Sequence, residues 1–332
     1  MPHADAQTPG MLAVVAIGRN EGERLQRCLS SLIHGAELVV YVDSGSTDGS
    51  CEFARDIGAH VVNLDMSRPF SAARARNAGF AAIQALRPDI RYVQFIDGDC
   101  EIVPGWMHIA RAFLETHPTA AAACGRLRER HPEASVYNWL CDLEWNTPIG
   151  LAKSCGGIVL MRAAALSQSG GYREDVIAGE EPELCVRLRG LGWLIWRIDC
   201  DMAWHDAAMT RFSQWWMRAV RSGYAFALGS HLHGASPERH WVWESRRAVL
   251  WGGVIPACLA GLALAWSPWA LMGLLLYPVQ TLRLARRSPL AGRAALTDAT
   301  FKTFSKFAEM QGTYRFWKDR MSHRPPRIIE YK

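Results

Sequence analysis

Over the first two hundred residues, short apolar runs alternate with longer amphipathic stretches. Leu12–Ile17, Leu38–Val42, Ala59–Leu64 and Arg91–Ile96 read as strands, because β-branched residues are dense in them and turn formers bound them. Glu21–Ile33, Thr47–Ile57 and Ser71–Leu86 read as helices. In the first of these, Leu25, Leu29 and Leu32 or Ile33 fall on one face. Strand and helix in alternation predict an α/β fold, a sheet of βαβ units with helices on both faces. Three of the strands run straight into polar clusters: Arg19-Asn20-Glu21, Asp43-Ser44-Gly45-Ser46-Thr47-Asp48 and Asp97-Gly98-Asp99. Ligands of open parallel sheets bind beyond the carboxyl ends of the strands, so these clusters are expected to converge.

The pattern changes near Ala235-Ser236-Pro237, which predicts a catalytic domain over 1–235 and an appended helical region over 236–332. Ala248–Trp266 is nineteen residues without a charge, Ser267-Pro268 interrupts it, and Trp269–Leu282 adds fourteen more. The first run is long enough to cross a bilayer core and the second is short for that task. The pair predicts a hydrophobic helical hairpin, with a pair of helices buried in a soluble domain as the alternative. Arg246 and Arg247 precede the hairpin, and Arg283, Arg286 and Arg287 follow it. Basic flanks stay on the cytosolic side, which predicts an inner-membrane location with the catalytic domain facing the cytosol. Eleven of the fourteen Trp lie beyond residue 190, several beside the apolar runs, as an interfacial belt would have them. Farther on, Phe301, Phe304, Phe307 or Ala308, and Gln311 are spaced as in a helix among basic residues. It lies either on a membrane surface or back against the protein.

Charge sharpens this division. The chain of 332 residues carries a net +5, yet Arg283–Lys332 holds twelve basic residues against four acidic ones. A basic tail beside an apolar segment predicts an anionic lipid partner and no nucleic acid. With 49% hydrophobic and 21% charged residues, the chain is neither disordered nor fibrous. Nine cysteines without a CxxC pair read as reduced packing residues. Met11–Gly18 is apolar, but no basic residue precedes it and Arg19 follows at once, so it reads as a buried strand rather than a leader peptide.

Two acids separated by one residue at a strand end, Asp97 and Asp99, can share one hard cation with phosphate oxygens. A solvated turn is the plainer reading of the same residues. Asp48, with Ser46 or Thr47, can cap the helix that follows. Asp43 stands too early for that and can accept from a base imide or a ribose hydroxyl.

In order and spacing, four segments resemble glycosyltransferase family 2: Ala16-Ile17-Gly18-Arg19-Asn20-Glu21, Val42–Asp48, Ala75-Arg76-Asn77-Ala78-Gly79 and Phe95-Ile96-Asp97-Gly98-Asp99. The resemblance covers about residues 11–230 and implies a GT-A fold, a Rossmann-like mixed sheet. It implies that Asn20, Glu21, Asp43 and Ser44 hold the base and ribose, with Arg76, Asn77 and Asp97 also at the nucleotide. It further implies that Asp99 and Asp97 place a divalent cation, Mg²⁺ or Mn²⁺, on the diphosphate. Gly179-Glu180-Glu181-Pro182-Glu183-Leu184 is similar to the family's stretch whose second acid is the catalytic base. That acid is Glu181 here, where the family has Asp, and Glu180 stands as its rival; the acids also suit a helix N-terminus. His205, after the strand near Trp193–Ile198, is either structural or close to the metal. Ser154–Leu160 reads as an acceptor-side strand with a close backbone approach at its glycines.

The implied activity is inverting, hexosyltransferase-type transfer from a nucleoside-diphosphate sugar donor to a lipid-linked saccharide acceptor in surface polysaccharide assembly. Gln214-Trp215-Trp216-Met217-Arg218 partly resembles the element of processive synthases but lacks the closing Trp. The alternatives are a sugar nucleotidyltransferase, whose Gly-rich loop is missing after the first strand, and a non-catalytic nucleotide-sugar binding module.

Overall fold

The protein is described from a computed structural model that covers residues 11–322 and Ile329. Arg324, Arg327 and Lys332 of the basic tail lie outside the described residues. Contacts divide the chain into two compact units, Met1–Val176 with Glu180–Ala208, and Ile177–Gly179 with Met209–Lys332.

The first unit is built on one sheet. Its strands are β1 Leu12–Gly18, β2 Leu38–Asp43, β3 His60–Asn63, β4 Tyr92–Asp97, β5 Cys100–Ile102, β6 Ala120–Glu129, β7 Gly150–Ala152, β8 Val159–Arg162 and β9 Leu194–His205. They stand in the order β3-β2-β1-β4-β8-β6-β9-β5, with β7 on β9. The first four are parallel, as the alternating pattern predicts, and β8 joins β4 antiparallel, so the sheet is mixed. β1, β2 and β4 are buried on both faces, which is why they read as continuous apolar runs rather than alternating ones. The helices of this unit are α1 Glu23–Leu32, α2 Ser50–Asp56, α3 Ala72–Leu86, α4 Trp106–Thr116, α5 Val136–Glu144, α6 Ala163–Gln168 and α7 Glu180–Gly190. α3 lies close on the sheet because Gly79 allows it; a Cβ there would overlap Val15. Ser71 caps α3 by accepting from the Arg74 amide at 3.2 Å. Ser154–Leu160, expected as a strand, is mostly loop, with β8 starting only at Val159.

The second unit pairs α8, Phe212–His233, with the long C-terminal helix α11, Gly292–Met321. Gly223 and Gly312 let the two backbones touch, since a Cβ on either would overlap main-chain atoms of the other helix. Around that crossing, Tyr224 meets Phe316 edge-on at 5.5 Å and Trp216 Nε1 donates to Gln311 at 2.8 Å. Of the two placements the sequence allowed for α11, its buried residues follow the packed one, with Ala308 and Phe316 against α8. The division expected at 235 falls inside this unit, where α8 packs on α11.

In chain order α9 follows, Val242–Ala265, 24 residues whose most apolar stretch has a mean hydropathy of 2.0 and is only 6% buried. A π-turn at Leu250–Val254 brings Gly252 against the α11 backbone. The second apolar run is not one α-helix: Pro268–Leu275 is 3₁₀ and continues as α10, Leu276–Arg287. At about 2.0 Å per 3₁₀ residue and 1.5 Å per α residue, its uncharged part reaches about 25 Å, more than a wholly α segment would. Leu264, Trp266 and Trp269 are 89%, 86% and 77% exposed, so a helix pair buried in this chain is not what forms.

Candidate active site

The ends of β1, β2 and β4 lie side by side, with Gly18 paired to Asp43 and Ile17 to Asp97. The three polar clusters do converge on one edge. The first two loops are stitched together: Asn20 N donates to Ser46 Oγ at 2.9 Å, Thr47 N to Asn20 Oδ1 at 2.8 Å, and Gly22 N to Asp48 Oδ2 at 2.9 Å. Asn20 adopts a left-handed φ of 54°, which its short amide side chain tolerates. Asp48 also accepts from the Ser50 amide and so serves the start of α2. Ser44 is buried, its amide donating to Gly18 O at 3.0 Å, and Glu21 pairs with Arg24 at 2.8 Å.

Beside these loops opens a cleft of about 630 Å³, lined by Asp43, Ser46, Thr47, Arg55, Asn63 and Met66 among others. That volume suits a nucleoside-sized ligand. At its floor, the Asp43 carboxylate accepts from Tyr41 Oη at 3.0 Å and from the Gly45 and Ser46 amides at 2.9 Å each. Burial opposes its charge, but the hydrogen bonds from Ser46, Tyr41 and Gly45 win and hold the carboxyl below its usual range. It is an ionised acceptor at neutral pH.

A second cluster gathers around Arg76, which is 2% exposed. Its Nη2 lies 2.8 Å from Asp97, and its Nη1 lies 2.8 Å from Glu181 and 3.2 Å from Glu180. Three carboxylates thus share one guanidinium, and the local balance is negative. Arg76, expected at the nucleotide, is held by these acids in the structure, because α3 and α7 meet in a contact between residues more than a hundred positions apart. Burial, then repulsion from Glu180, pushes the Glu181 carboxyl up to about 7, with Arg76 opposing. Glu181 keeps a 13% exposed side chain, against 5% for Glu180, so it is the more accessible acid of the pair. Gly157 roofs the cluster: a Cβ there would overlap Arg76 and stand 3.0 Å from Asp97 Oδ2 and 3.1 Å from Glu181 Oε1. The close backbone approach expected at those glycines is present, in a loop. Asn77, expected at the nucleotide, clamps the Tyr172 backbone, donating to its carbonyl at 2.8 Å and accepting from its amide at 2.9 Å. Glu183 and Arg187 pair within α7 at 2.8 Å and fix that helix.

Asp99 belongs to a third group. Its Oδ2 is 3.3 Å from His205 Nε2, and ligand atoms of Asp99, Cys100 and His205 lie within 4.8 Å of one another. β5 pairs with β9 through Cys100 and His205, which fixes this meeting. His205 Nδ1 is 3.9 Å from Glu129 Oε2, and Trp145 meets the imidazole edge-on at 4.7 Å. Glu129 is 1% exposed and is held by Asn138, the His131 amide and the Ala207 amide. A carboxylate behind a histidine is the usual outer support of a metal ligand. Nothing in the sequence marks Glu129, which sits mid-chain on β6 without a motif. Asp99 and His205 together offer a hard oxygen and an imidazole nitrogen, a donor set that fits a divalent cation. Asp97, with a 36% exposed side chain, is ion-paired to Arg76.

Residues 14–143 match the family described as Glycosyl transferase family 2. Among curated proteins, the pre-mycofactocin glycosyltransferase of Mycobacterium tuberculosis is 30% identical over 192 residues, 53% of this chain and 38% of that one. A TPR repeat-containing protein of Synechococcus elongatus is 32% identical over 138 residues, 41% of this chain and 32% of that one. The chain thus spans about a third of the length of the curated relatives it matches. Among solved structures, a mannosyltransferase from Pyrobaculum calidifontis in complex with GDP-Man and Mn²⁺ superposes with a TM-score of 0.62 at 17% identity. The match covers 95% of this chain and 89% of that one.

Proposed function

The chain carries a glycosyltransferase family 2 domain on a GT-A fold, and from that premise we propose that it transfers a sugar from a nucleoside-diphosphate donor to an acceptor hydroxyl with inversion. The observation that carries this reading is the convergence of three groups on one sheet edge: the Asp43 cleft, the Asp99–His205 pair and Glu181.

Asp43 and the stitched loops receive the base and ribose. Asp99 and His205 would hold a divalent cation, Mg²⁺ or Mn²⁺, supported from behind by Glu129, with Asp97 as a further oxygen. When bound, the cation supplies positive charge against the leaving diphosphate. The fold neighbour solved with Mn²⁺ and a nucleotide sugar agrees with that donor chemistry. Glu181 takes the proton of the acceptor hydroxyl while that hydroxyl's oxygen bonds to the anomeric carbon and the bond from that carbon to the diphosphate oxygen breaks. A single displacement of this kind inverts that carbon. Arg76 holds Glu181 and Asp97 in place, and the raised pKa keeps the base close to the working pH.

The exposed apolar surface of α9 and of the segment after it supports membrane association. Arg246 and Arg247 at one end and Arg283, Arg286 and Arg287 at the other are the basic flanks that favour a cytosolic side for the catalytic domain in this reading. A membrane-bound enzyme of this kind suits a lipid-linked saccharide acceptor, as in surface polysaccharide assembly. The test is a screen of nucleotide sugars with purified protein in detergent, reading nucleoside diphosphate release with and without lipid-linked acceptors. No release from any donor in the presence of Mn²⁺ or Mg²⁺ refutes the activity.

A further inference from the structure

From Met209 onward the chain carries eighteen Lys and Arg against six Asp and Glu, whereas the preceding 208 residues carry nineteen against twenty-six. The basic surplus is a property of the second unit, and part of it is built into a cleft. Arg247 and Trp251 of α9, Gln280 and Leu284 of α10, and Lys302 and Lys306 of α11 surround a space of about 160 Å³. That is the room of roughly five waters, enough for one phosphate group.

We propose that this cleft binds the phosphate of a membrane lipid headgroup. The proposal rests on the membrane association argued above, and names the ligand that goes with it. Depth is the first argument. The apolar stretch of α9 begins at Ala248, directly after Arg247, and Trp251 lies one turn further in. On the returning segment the uncharged run ends at Leu282, and Gln280 and Leu284 straddle that end. Both walls of the cleft therefore change from polar to apolar at its level, which is where headgroups sit.

Charge is the second argument. Lys302 Nζ donates to Asp298 at 2.7 Å, and Lys306 Nζ donates to both Glu309 oxygens at 2.7 and 2.6 Å, so both ammonium groups are oriented and each keeps at least one N–H outside these pairs. Arg247 has its guanidinium 5.8 Å from the Trp243 ring and makes no ion pair among the described residues. A planar donor of that kind is suited to phosphate oxygens. Trp251 and Leu284 supply an apolar side on which the first part of a lipid chain can lie.

The test uses the full chain in a neutral alkyl-maltoside detergent and measures binding of three probes: dodecyl phosphate, dodecanol and inorganic phosphate. Dodecyl phosphate should bind saturably, and the other two at least about tenfold more weakly. Arg247→Gln and Lys302→Gln should each weaken dodecyl phosphate by about tenfold or more, since hydrogen bonds to charged groups contribute that much. Arg247→Lys should recover part of the loss, and Arg293→Gln, a charge on α11 away from the cleft, should change nothing. Wild-type affinity in Arg247→Gln and Lys302→Gln overturns the proposal. Dodecanol binding as tightly as dodecyl phosphate, or inorganic phosphate doing so, overturns it too, the latter by showing a free-anion site. Fractionation without detergent separates this from the underlying reading. If the full chain stays in the soluble fraction, membrane association is wrong. If it sediments with membranes while the variants bind normally, only the headgroup site is wrong.

Discussion

Replacing Glu181 by Gln isolates the proposed base. The carboxamide keeps an oxygen that can accept from Arg76 Nη1, now 2.8 Å from the carboxylate, and removes one of three negative charges around a single guanidinium. Loss of a general base lowers turnover by about 10²–10⁴-fold, equivalent to about 3–5 kcal/mol of transition-state stabilisation. Donor affinity should hold, because the Asp43 cleft is untouched. The wild-type rate should also fall as pH drops through about 7, because burial and Glu180 raise the pKa of Glu181 to that level. That acidic limb should vanish in the variant. Stability should respond with a definite sign. A carboxyl whose folded pKa is raised favours the folded state most when protonated, and loses that contribution as pH rises from its ordinary range through about 7. The Tm of Glu181→Gln relative to wild type should therefore be higher at pH 8 than at pH 5. The assay is nucleoside diphosphate release at saturating donor and cation across pH 5–9, with Glu180→Gln as a control matched in charge. Turnover above a tenth of wild type in Glu181→Gln, with the acidic limb intact, refutes the assignment; a dead Glu180→Gln beside it moves the base to Glu180.

Three further outcomes are expected. Asp99→Asn should abolish most turnover with an unchanged circular dichroism spectrum, and EDTA should do the same until Mn²⁺ or Mg²⁺ is added back; full turnover in chelator contradicts the cation site. Glu129→Gln should raise the cation concentration needed for half-maximal rate by about 10–100-fold, as the loss of an outer support does, with the rate recovering at high Mn²⁺. An unchanged cation requirement would make Glu129 a purely structural group. Leu264→Glu, Trp266→Glu and Trp269→Glu together should move the protein from the membrane fraction to the soluble one, since all three side chains are largely exposed; unchanged sedimentation would show that this surface does not meet lipid.

Much of the first unit was legible in advance because its signals are local. β1, β2, β3 and β4 begin and end within two residues of where the apolar runs place them. α1 and α3 follow from their spacing, while α2 starts three residues late because Asp48 and Gly49 form its entry turn. The hairpin was legible as composition but not as conformation. Nothing in Trp269–Leu275 distinguishes 3₁₀ from α, because an uncharged run that is apolar all round carries no periodicity by which to choose. That the compact units divide after Ala208, whereas the composition changes near 235, has a similar origin, since the pattern of α8 shows an apolar face without showing which partner covers it.

The sequence by itself determined the parallel half of the sheet, β1 to β4, and with it the edge where the chemistry gathers. Parallel strands share a direction, so motifs at their carboxyl ends must lie together whatever else the fold does. Only the tertiary structure decided how the charges there are shared. Arg76 meets Glu180 and Glu181 across more than a hundred residues, Asn77 turns to Tyr172, and Glu129 stands behind His205. Such pairings depend on how helices and strands distant in sequence are stacked. A carboxylate or guanidinium looks the same along the chain whether it will face a ligand or a buried partner. What sets its role is the company it keeps once water has been excluded, and no local pattern records that.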